Sequence, residues 1–426
     1  MTWTPDFSAS EEFSLALDRA DPLRHFRGRF HLPEQRPGVP WVYLCGHSLG
    51  LQPRATPGAV QAQLDAWARL GVEGHFEGPL AWYTYEESLR QDGAELVGAR
   101  PDEVVFMNGL TVNLHLMLAS FYRPTPERFA ILLDGPTFPS DRYAAESHVA
   151  QRGLDPRRAV QTIGPRQGER LLRAEDVEAH LAAHGHETAV VLLAGVNFLT
   201  GQVLDLALLT AAAQARGCLV GLDLAHAAGN VPLALHDWGV DFAVWCGYKY
   251  LNAGPGAGAG CFVHQRHGER PSPRLAGWWG NDPATRFAMH LEPEFVPRPG
   301  ASGWQLSNPP VLALVPLAVS LGLFREAGPD ALRRKSLLLT GYLLDLVGGL
   351  PPGRCEVVTP ADPAARGAQV SLVLHGCGRG AAGKLRSAGV LCDYREPNVV
   401  RAAPTPLYNT FHEVWRFVQA LEAVLT

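Results

Sequence analysis

Short apolar runs recur through the middle of this chain, and their spacing limits the folds open to it. "EVVFM" (103–107), "FAILLD" (129–134), "AVVLLAGV" (189–196), "CLVGLD" (218–223), "FAVWC" (242–246) and "CFVH" (261–264) read as buried strands. Helical patterns lie between them. In "TVNLHLMLASFY", Leu114, Met117, Leu118 and Phe121 fall at i, i+3, i+4 and i+7, and "DLALLTAAAQARG" ends on Arg216 and Gly217, a helix stop. Strands alternating with helices predict an α/β domain with a mainly parallel sheet. Past Asn308 the pattern changes to a long helical stretch, then "CEVVTP", "QVSLVLHG", "GVLCDYRE" and a final helix, "TFHEVWRFVQALEAVL". That reads as a smaller α+β domain.

Composition narrows the function classes. The 426 residues are 46% hydrophobic, ample for a sizeable core in two or three domains. Lys plus Arg is 37 against 42 for Asp plus Glu, a net charge of −5, and no basic block stands out. Nucleic acid is therefore not an expected partner. The start, "MTWTPDFSASEEFSLALDRADP", lacks a basic segment followed by an apolar core, so no signal peptide is expected. The longest apolar stretch, "VLALVPLAVSLGLF", is broken by Pro316 and falls short of the ~20 residues of a membrane span. The cysteines are scattered without a CxxC, which argues against structural zinc and a disulfide framework. No metal is expected, and a cytoplasmic enzyme or binding protein remains.

In open α/β sheets, ligands sit outside the carboxyl ends of the strands. Asp223 ends "CLVGLD" and is followed shortly by His226. Lys249 follows "FAVWC", between Tyr248 and Tyr250. Thr111 opens a helix after "EVVFM", and Phe138 and Asp141 follow "FAILLD" in "GPTFPSD". Each has an ordinary explanation when taken alone: a snorkelling lysine, a capping aspartate, a capping threonine, a core phenylalanine. Taken together they suit a cofactor. A lysine shielded from water can form a Schiff base, and a carboxylate can keep a pyridinium nitrogen protonated. The N–H groups at "GLT" can bind a phosphate, and Phe138 can stack on a ring.

Competing motifs fare worse. "GPGAGAG" lacks GK[ST], and a strand rather than a helix follows it. "CGHSLG" holds a G-x-S-x-G pattern from Gly46 to Gly50, so a serine hydrolase using Ser48 stands as an alternative. Such an elbow needs a helix directly after it, which Pro53 and Pro57 oppose. His226 with Asp223 suggests a metal pair, but no third ligand stands out.

The segment "DLAHAAGNVPLALHDWGVDFAVWCGYKYLNAGPG" closely resembles the cofactor-lysine segment of kynureninases, which are fold-type I pyridoxal-phosphate enzymes. "YLCGHSLGLQPR", "MNGLTVNLHLML", "FPSDRYAAESH", "GWWGNDPATRF", "LSNPP" and "RAAPTPLYNTFHEV" resemble the same family, in the right order, over about Leu44 to Trp415. The resemblance implies a large cofactor-binding α/β domain over 46–308 and a small α+β domain over 309–426. Residues 1–45 are expected to pack with the small domain. It implies pyridoxal 5'-phosphate bonded to Lys249, paired with Asp223 and stacked on Phe138. Leu110 (through its backbone), Thr111, Tyr248, Trp278 and Asn308 would hold the phosphate end or the surrounding pocket, with Asp141 and His226 completing the shell. Arg401, which its local sequence alone would place on a surface loop, matches the arginine that clamps the substrate α-carboxylate; Arg395 is the next candidate. Ala194 departs from the family, some members having a serine there.

The implied reaction is hydrolysis of L-kynurenine or 3-hydroxy-L-kynurenine to anthranilate or 3-hydroxyanthranilate plus L-alanine. Lys249, Tyr248 and Asp223 would be the catalytic residues. Ser48, His75 and the pair Ser307–Asn308 are the candidates for the aryl pocket, where a hydroxyl held by His75 and Asn308 favours the 3-hydroxy substrate. Another fold-type I activity, aminotransfer or cysteine desulfuration, is the nearer alternative. The resemblance also implies a homodimer, with Trp278 and Asn308 reaching the partner's cofactor. It leaves open whether the pathway is tryptophan breakdown or nicotinamide cofactor synthesis.

Overall fold

The computed structural model describes residues 6–268, 272–292 and 294–425; the first five residues of the N-terminal segment lie outside the described residues. Within it the six apolar runs become strands of one seven-stranded sheet. These are β1 (Val104–Met107), β2 (Ala130–Asp134), β3 (Val160–Ile163), β4 (Thr188–Ala194), β5 (Leu219–Asp223), β6 (Phe242–Trp245) and β7 (Ala259–Val263). Their spatial order is β1-β7-β6-β5-β4-β2-β3. Strands β2 to β6 pair in parallel, while β7 runs antiparallel to both β6 and β1. β3 escaped the sequence reading because it is an edge strand with Gln161 and Thr162 at its centre and no fully buried residue.

Both faces of the sheet are covered, which is why the other strands read as continuous apolar runs. Side chains alternate between two core layers. Val220, Leu222 and Trp245 enter one; Ile131, Leu192 and Val244 enter the other. Helix α1 (Leu110–Phe121) begins just past β1, and α2 (Pro139–Gln151) just past β2. The β1–α1 turn is pinned by Asn113, whose side-chain amide donates to the Met107 carbonyl at 2.9 Å and accepts from Asn108 at 3.0 Å.

Beyond the sheet come α3 (Val311–Ala327) and α4 (Pro329–Gly348). An antiparallel sheet follows, made of β8 (Cys355–Val357), β9 (Val370–Leu374), β10 (Asp393–Arg395) and β11 (Val399–Ala402) in the order β8-β9-β11-β10. Helix α5 (Phe411–Leu425) closes this part. Pro316 does not interrupt α3 as its sequence suggests. It sits in the second turn, where its missing N–H frees only the carbonyl of Leu312, an exposed residue. Among the described residues no single helix is long and apolar enough to cross a membrane.

The N-terminal residues join this second part. The Asp18 carboxylate accepts the N–H groups of Phe411 at 2.6 Å and His412 at 3.2 Å, capping α5. Lys335 and Asp21 form a buried ion pair at 2.7 Å. Residues Val42–Tyr43 pair in parallel with Val390–Leu391, and Cys45 bridges to Ala403.

From Cys45 the chain turns toward the loop that follows β6. The Gly50 N–H donates to the Tyr248 carbonyl at 2.8 Å. A Cβ at Gly50 would collide with the Lys249 carbonyl and the Asn252 side chain and lie 2.7 Å from the Asn252 Cα. Gly50→Ala is therefore expected to push the Lys249 loop aside and to lower stability by about 1–3 kcal/mol, the usual cost of overpacking. Urea unfolding followed by tryptophan fluorescence measures this; an unshifted midpoint would contradict the packing described.

Candidate active site

The parallel strands end side by side, and their last residues supply the chemistry. Asp223 closes β5 and is 7% exposed; one of its oxygens accepts the Ala225 N–H at 2.7 Å. Ala194 closes β4 opposite Asp223, and its N–H donates at 2.8 Å to Asp134, which closes β2. Lys249 follows β6 in a turn where the Asn252 N–H donates to the Lys249 carbonyl at 3.0 Å. A cleft of about 520 Å³ opens over these ends.

Eight of the residues expected at the site line this cleft: Leu110, Thr111, Phe138, Asp141, Asp223, His226, Tyr248 and Lys249. Ser140, Ala225 and Phe198 line it as well and were not singled out from sequence, although Ser140 stands inside the quoted "FPSD". The Thr111 and Ser140 hydroxyls lie 3.2 Å apart. The Lys249 amine lies 5.8 Å from the centre of the Phe138 ring, and that ring packs edge-on against Phe198 at 5.4 Å. Among the described residues Lys249 has no carboxylate partner within ion-pair distance. The chain's other lysines are engaged or remote: Lys335 pairs with Asp21, and Lys384 is exposed on the helix Gly380–Ser387.

Burial sets the protonation of the surrounding groups. It raises the Asp141 carboxyl well above the usual range, and the neighbouring Asp223 carboxylate, through its charge and a shared hydrogen bond, raises it further. Asp141 is thus held toward its protonated form. Burial, with the positive charges of Lys249 and Arg401, keeps His226 a neutral imidazole. Burial and the neighbouring Cys246 thiol push the Tyr248 phenol up to about 12, so it holds its proton at neutral pH.

These groups fit the expected cofactor. The start of α1 has no side-chain cap, which leaves its first N–H groups free beside the Thr111 and Ser140 hydroxyls, a setting for phosphate. Phe138 offers an aromatic face, Asp223 a carboxylate for a ring nitrogen, and Lys249 an unpaired amine. Buried atoms of Asp141 (Oδ1) and His226 (Nδ1) have no hydrogen-bond partner among the described residues. Ala194 brings only a methyl group to the cleft.

Arg401 is not a surface residue, as its local sequence would have it. It lies in β11, is 1% exposed, and pairs across the strands with Asp393. Its Nε and Nη2 donate to the two Asp393 oxygens at 3.1 and 2.8 Å, and Nη1 donates to the Phe198 carbonyl at 2.5 Å. One N–H on each Nη remains to donate to a carboxylate. Arg395 is only partly buried and donates to the same Asp393 at 3.3 Å.

Other expected residues lie elsewhere within a single chain. His75 and Asn308 line a second cleft of about 940 Å³ with Gln63, Trp67 and Trp82. The His75 ring stands edge-on to Trp82 at 5.4 Å. Ser307 is exposed beside Asn308, and Trp278 is 36% exposed against Trp279. Ser48 is exposed on the turn after Cys45, and the next helix begins only at Thr56, so the strand–nucleophile–helix elbow of a hydrolase is not formed. At the opposite end of the strands, Glu103, His236 and His264 bring potential ligand atoms within 4.8 Å of one another. The Glu103 oxygens there already accept the N–H groups of Arg100 and Gln265, each at 2.9 Å.

The fold matches solved structures closely. A cysteine desulfurase of Escherichia coli superposes with a TM-score of 0.76 at 18% identity, over 95% of this chain and 98% of that one. A C-DES variant with glycine covalently linked to its PLP cofactor gives 0.75 at 20% identity, over 90% and 96%. Fold and site together define a fold-type I pyridoxal-phosphate enzyme. A sequence model described as the kynureninase C-terminal domain matches residues 332–421. The kynureninase of Myxococcus xanthus is 54% identical over 98% of this chain and 97% of its own length. That of Koribacter versatilis is 49% identical over 98% and 99%. The chain belongs to the kynureninase family.

Burial carries the Asp134 carboxyl from 3.8 up to about 6, against the Ala194 N–H that lowers it. Between about pH 4 and 6 the folded chain therefore holds a proton that the unfolded chain has released, so this group costs stability as the pH rises through that window. Asp134→Asn, whose amide oxygen can still accept the Ala194 N–H, is expected to flatten the melting temperature against pH there. A profile as steep as the parent's would contradict the assignment.

Proposed function

We propose that this enzyme hydrolyses kynurenine-class amino acids at the Cβ–Cγ bond, with water entering at the γ-carbonyl, to give an anthranilate and L-alanine. The reading is carried by the convergence of an unpaired lysine, a buried carboxylate and an open helix N-terminus in one cleft, in a chain of this family. Bound pyridoxal phosphate would supply an aldehyde that condenses with amines and a ring that accepts electron density from the substrate Cα.

The chain's own residues do the rest. Thr111, Ser140 and the N–H groups of Leu110 and Thr111 hold the phosphate, and Phe138 covers a ring face. The Asp223 carboxylate, supported by neutral Asp141, holds a proton on the ring nitrogen. With the cofactor bound, Lys249 Nζ would be placed to take the proton from the substrate Cα. Tyr248, protonated at neutral pH, is the donor for the later proton transfer, and Arg401 orients the α-carboxylate through its remaining N–H groups. A desulfurase reading has less support, because burial pushes the Cys45 thiol up to about 12 and raises Cys246, leaving neither as a ready sulfur acceptor.

We assign the cofactor domain to residues 46–308 and the small domain to 309–426, with residues 1–45 packed on the latter through Asp18 and Asp21. The working unit is a homodimer. Trp67, Phe76 and Phe287 are each about 60% exposed, and the Phe76 and Phe287 rings lie 5.9 Å apart, an apolar surface that a second copy would cover. A partner would then bring Trp278, Ser307, Asn308 or His75 to the Lys249 cleft. All seven cysteines are free, which suits the cytoplasm.

The product assay tests the central reading: adding L-kynurenine to the holoenzyme is expected to release anthranilate and alanine in equal amounts. Pyruvate, a keto acid or sulfide in their place would overturn it. For the aryl pocket we favour 3-hydroxykynurenine, because His75 and Asn308 share a cleft and polar groups built for a hydroxyl are left unpaired by the analogue lacking it. The kcat/KM ratio of the two substrates is expected to favour the 3-hydroxy form and to fall about tenfold in His75→Phe. A native preference for plain kynurenine, or a ratio untouched by the substitution, rules out this pocket.

A further inference from the structure

The "CGHSLG" turn forms no hydrolase elbow, yet its histidine is 0% exposed. The turn is strung between the two sides of the site. At one end Cys45 bridges to Ala403, two residues past Arg401. At the other the Gly50 N–H donates to the carbonyl of Tyr248, next to Lys249. Both ring nitrogens of His47 are buried without a hydrogen-bond partner among the described residues. Native folds rarely leave such groups unpaired except where a ligand or an ordered water completes them. The His47 ring lies 6.1 Å from that of His226, a wall of the Lys249 cleft whose Nδ1 also lacks a partner. Tyr250, whose ring stands edge-on to His226 at 6.4 Å, has an unpartnered hydroxyl too.

We infer that His47 is a second donor for the substrate's α-carboxylate, binding it together with Arg401. The inference rests on the proposed role of Arg401. Burial and the positive charges of Arg401, Lys249 and Arg395 keep the imidazole neutral, so it carries one N–H and one acceptor nitrogen. The N–H meets the carboxylate, and the other nitrogen is left for the Tyr250 hydroxyl or a water. A ligand carboxylate also supplies negative charge beside Asp393, which alone faces both Arg395 and Arg401.

Holoenzyme variants test this by binding as well as turnover. L-Alanine and ethylamine, which lacks the carboxylate, are titrated against the cofactor's visible absorption. His47→Phe is expected to weaken L-alanine about tenfold, the worth of one charge-assisted hydrogen bond, and to raise KM similarly with kcat within about threefold. Ethylamine binding, the resting spectrum and the melting temperature are expected to stay as in the parent. His47→Asn, which keeps a donor, should restore L-alanine binding to within about threefold. Equal losses for both ligands, or a loss that asparagine does not restore, would make His47 a packing residue and overturn the inference. Parent-like L-alanine binding in His47→Phe alongside weakened binding in Arg401→Lys would overturn it while leaving the arginine clamp standing. Parent-like binding in both variants would remove the clamp itself.

Discussion

A carboxylate buried at the end of a central strand, with no cation paired to it, is the constraint on which the site depends. Asp223 is enclosed because β4 and β6 flank β5 and both sheet faces are covered. The chain answers it with one backbone N–H, from Ala225, and with Asp141, which burial keeps neutral. Neither brings positive charge. A buried carboxylate without a counter-ion is costly, and a protonated heteroaromatic ring is the partner that the remaining space fits. The start of α1, which would hold a phosphate, and the Phe138 ring, which would cover an aromatic face, line the same cleft. Lys249, one strand over, would supply the amine that bonds such a group.

The central sheet was legible because its strands are buried on both faces, so that their sequences are apolar throughout and their ends are sharp. β3 shows the limit of that signal. At the edge it is covered on one side only, and Gln161 and Thr162 look like loop. Pro316 shows another. A proline marks a helix boundary only when its missing N–H strands a buried carbonyl, and in α3 the affected carbonyl belongs to an exposed residue.

Site residues divide along the same line. Asp223, Lys249, Thr111, Phe138 and Asp141 could be found from residues alone, because each sits just past a recognisable strand and the carboxyl end of a parallel sheet is where ligands bind. Arg401 could not. Its burial depends on Asp393, which comes opposite it only once β10 and β11 pair. His47 was passed over for a different reason: the G-x-S-x-G pattern drew attention to its neighbour Ser48, and nothing local shows that the turn is tied at both ends to the site. His75 and Asn308 are far apart in sequence and meet in a cleft of their own, separate from the one that Lys249 lines, so nothing along the chain ties them to it.

The central claim is that Lys249 is the amine that bonds the cofactor, and the small number of lysines makes it directly testable. The sequence holds only Lys249, Lys335 and Lys384. Borohydride reduction of the holoenzyme, followed by digestion and peptide mass mapping, fixes the cofactor wherever it is attached. The account predicts the phosphopyridoxyl mass on the peptide containing Lys249 and unmodified Lys335 and Lys384. The mass on either of those lysines, or a holoenzyme whose Lys249 peptide stays unmodified, would contradict it.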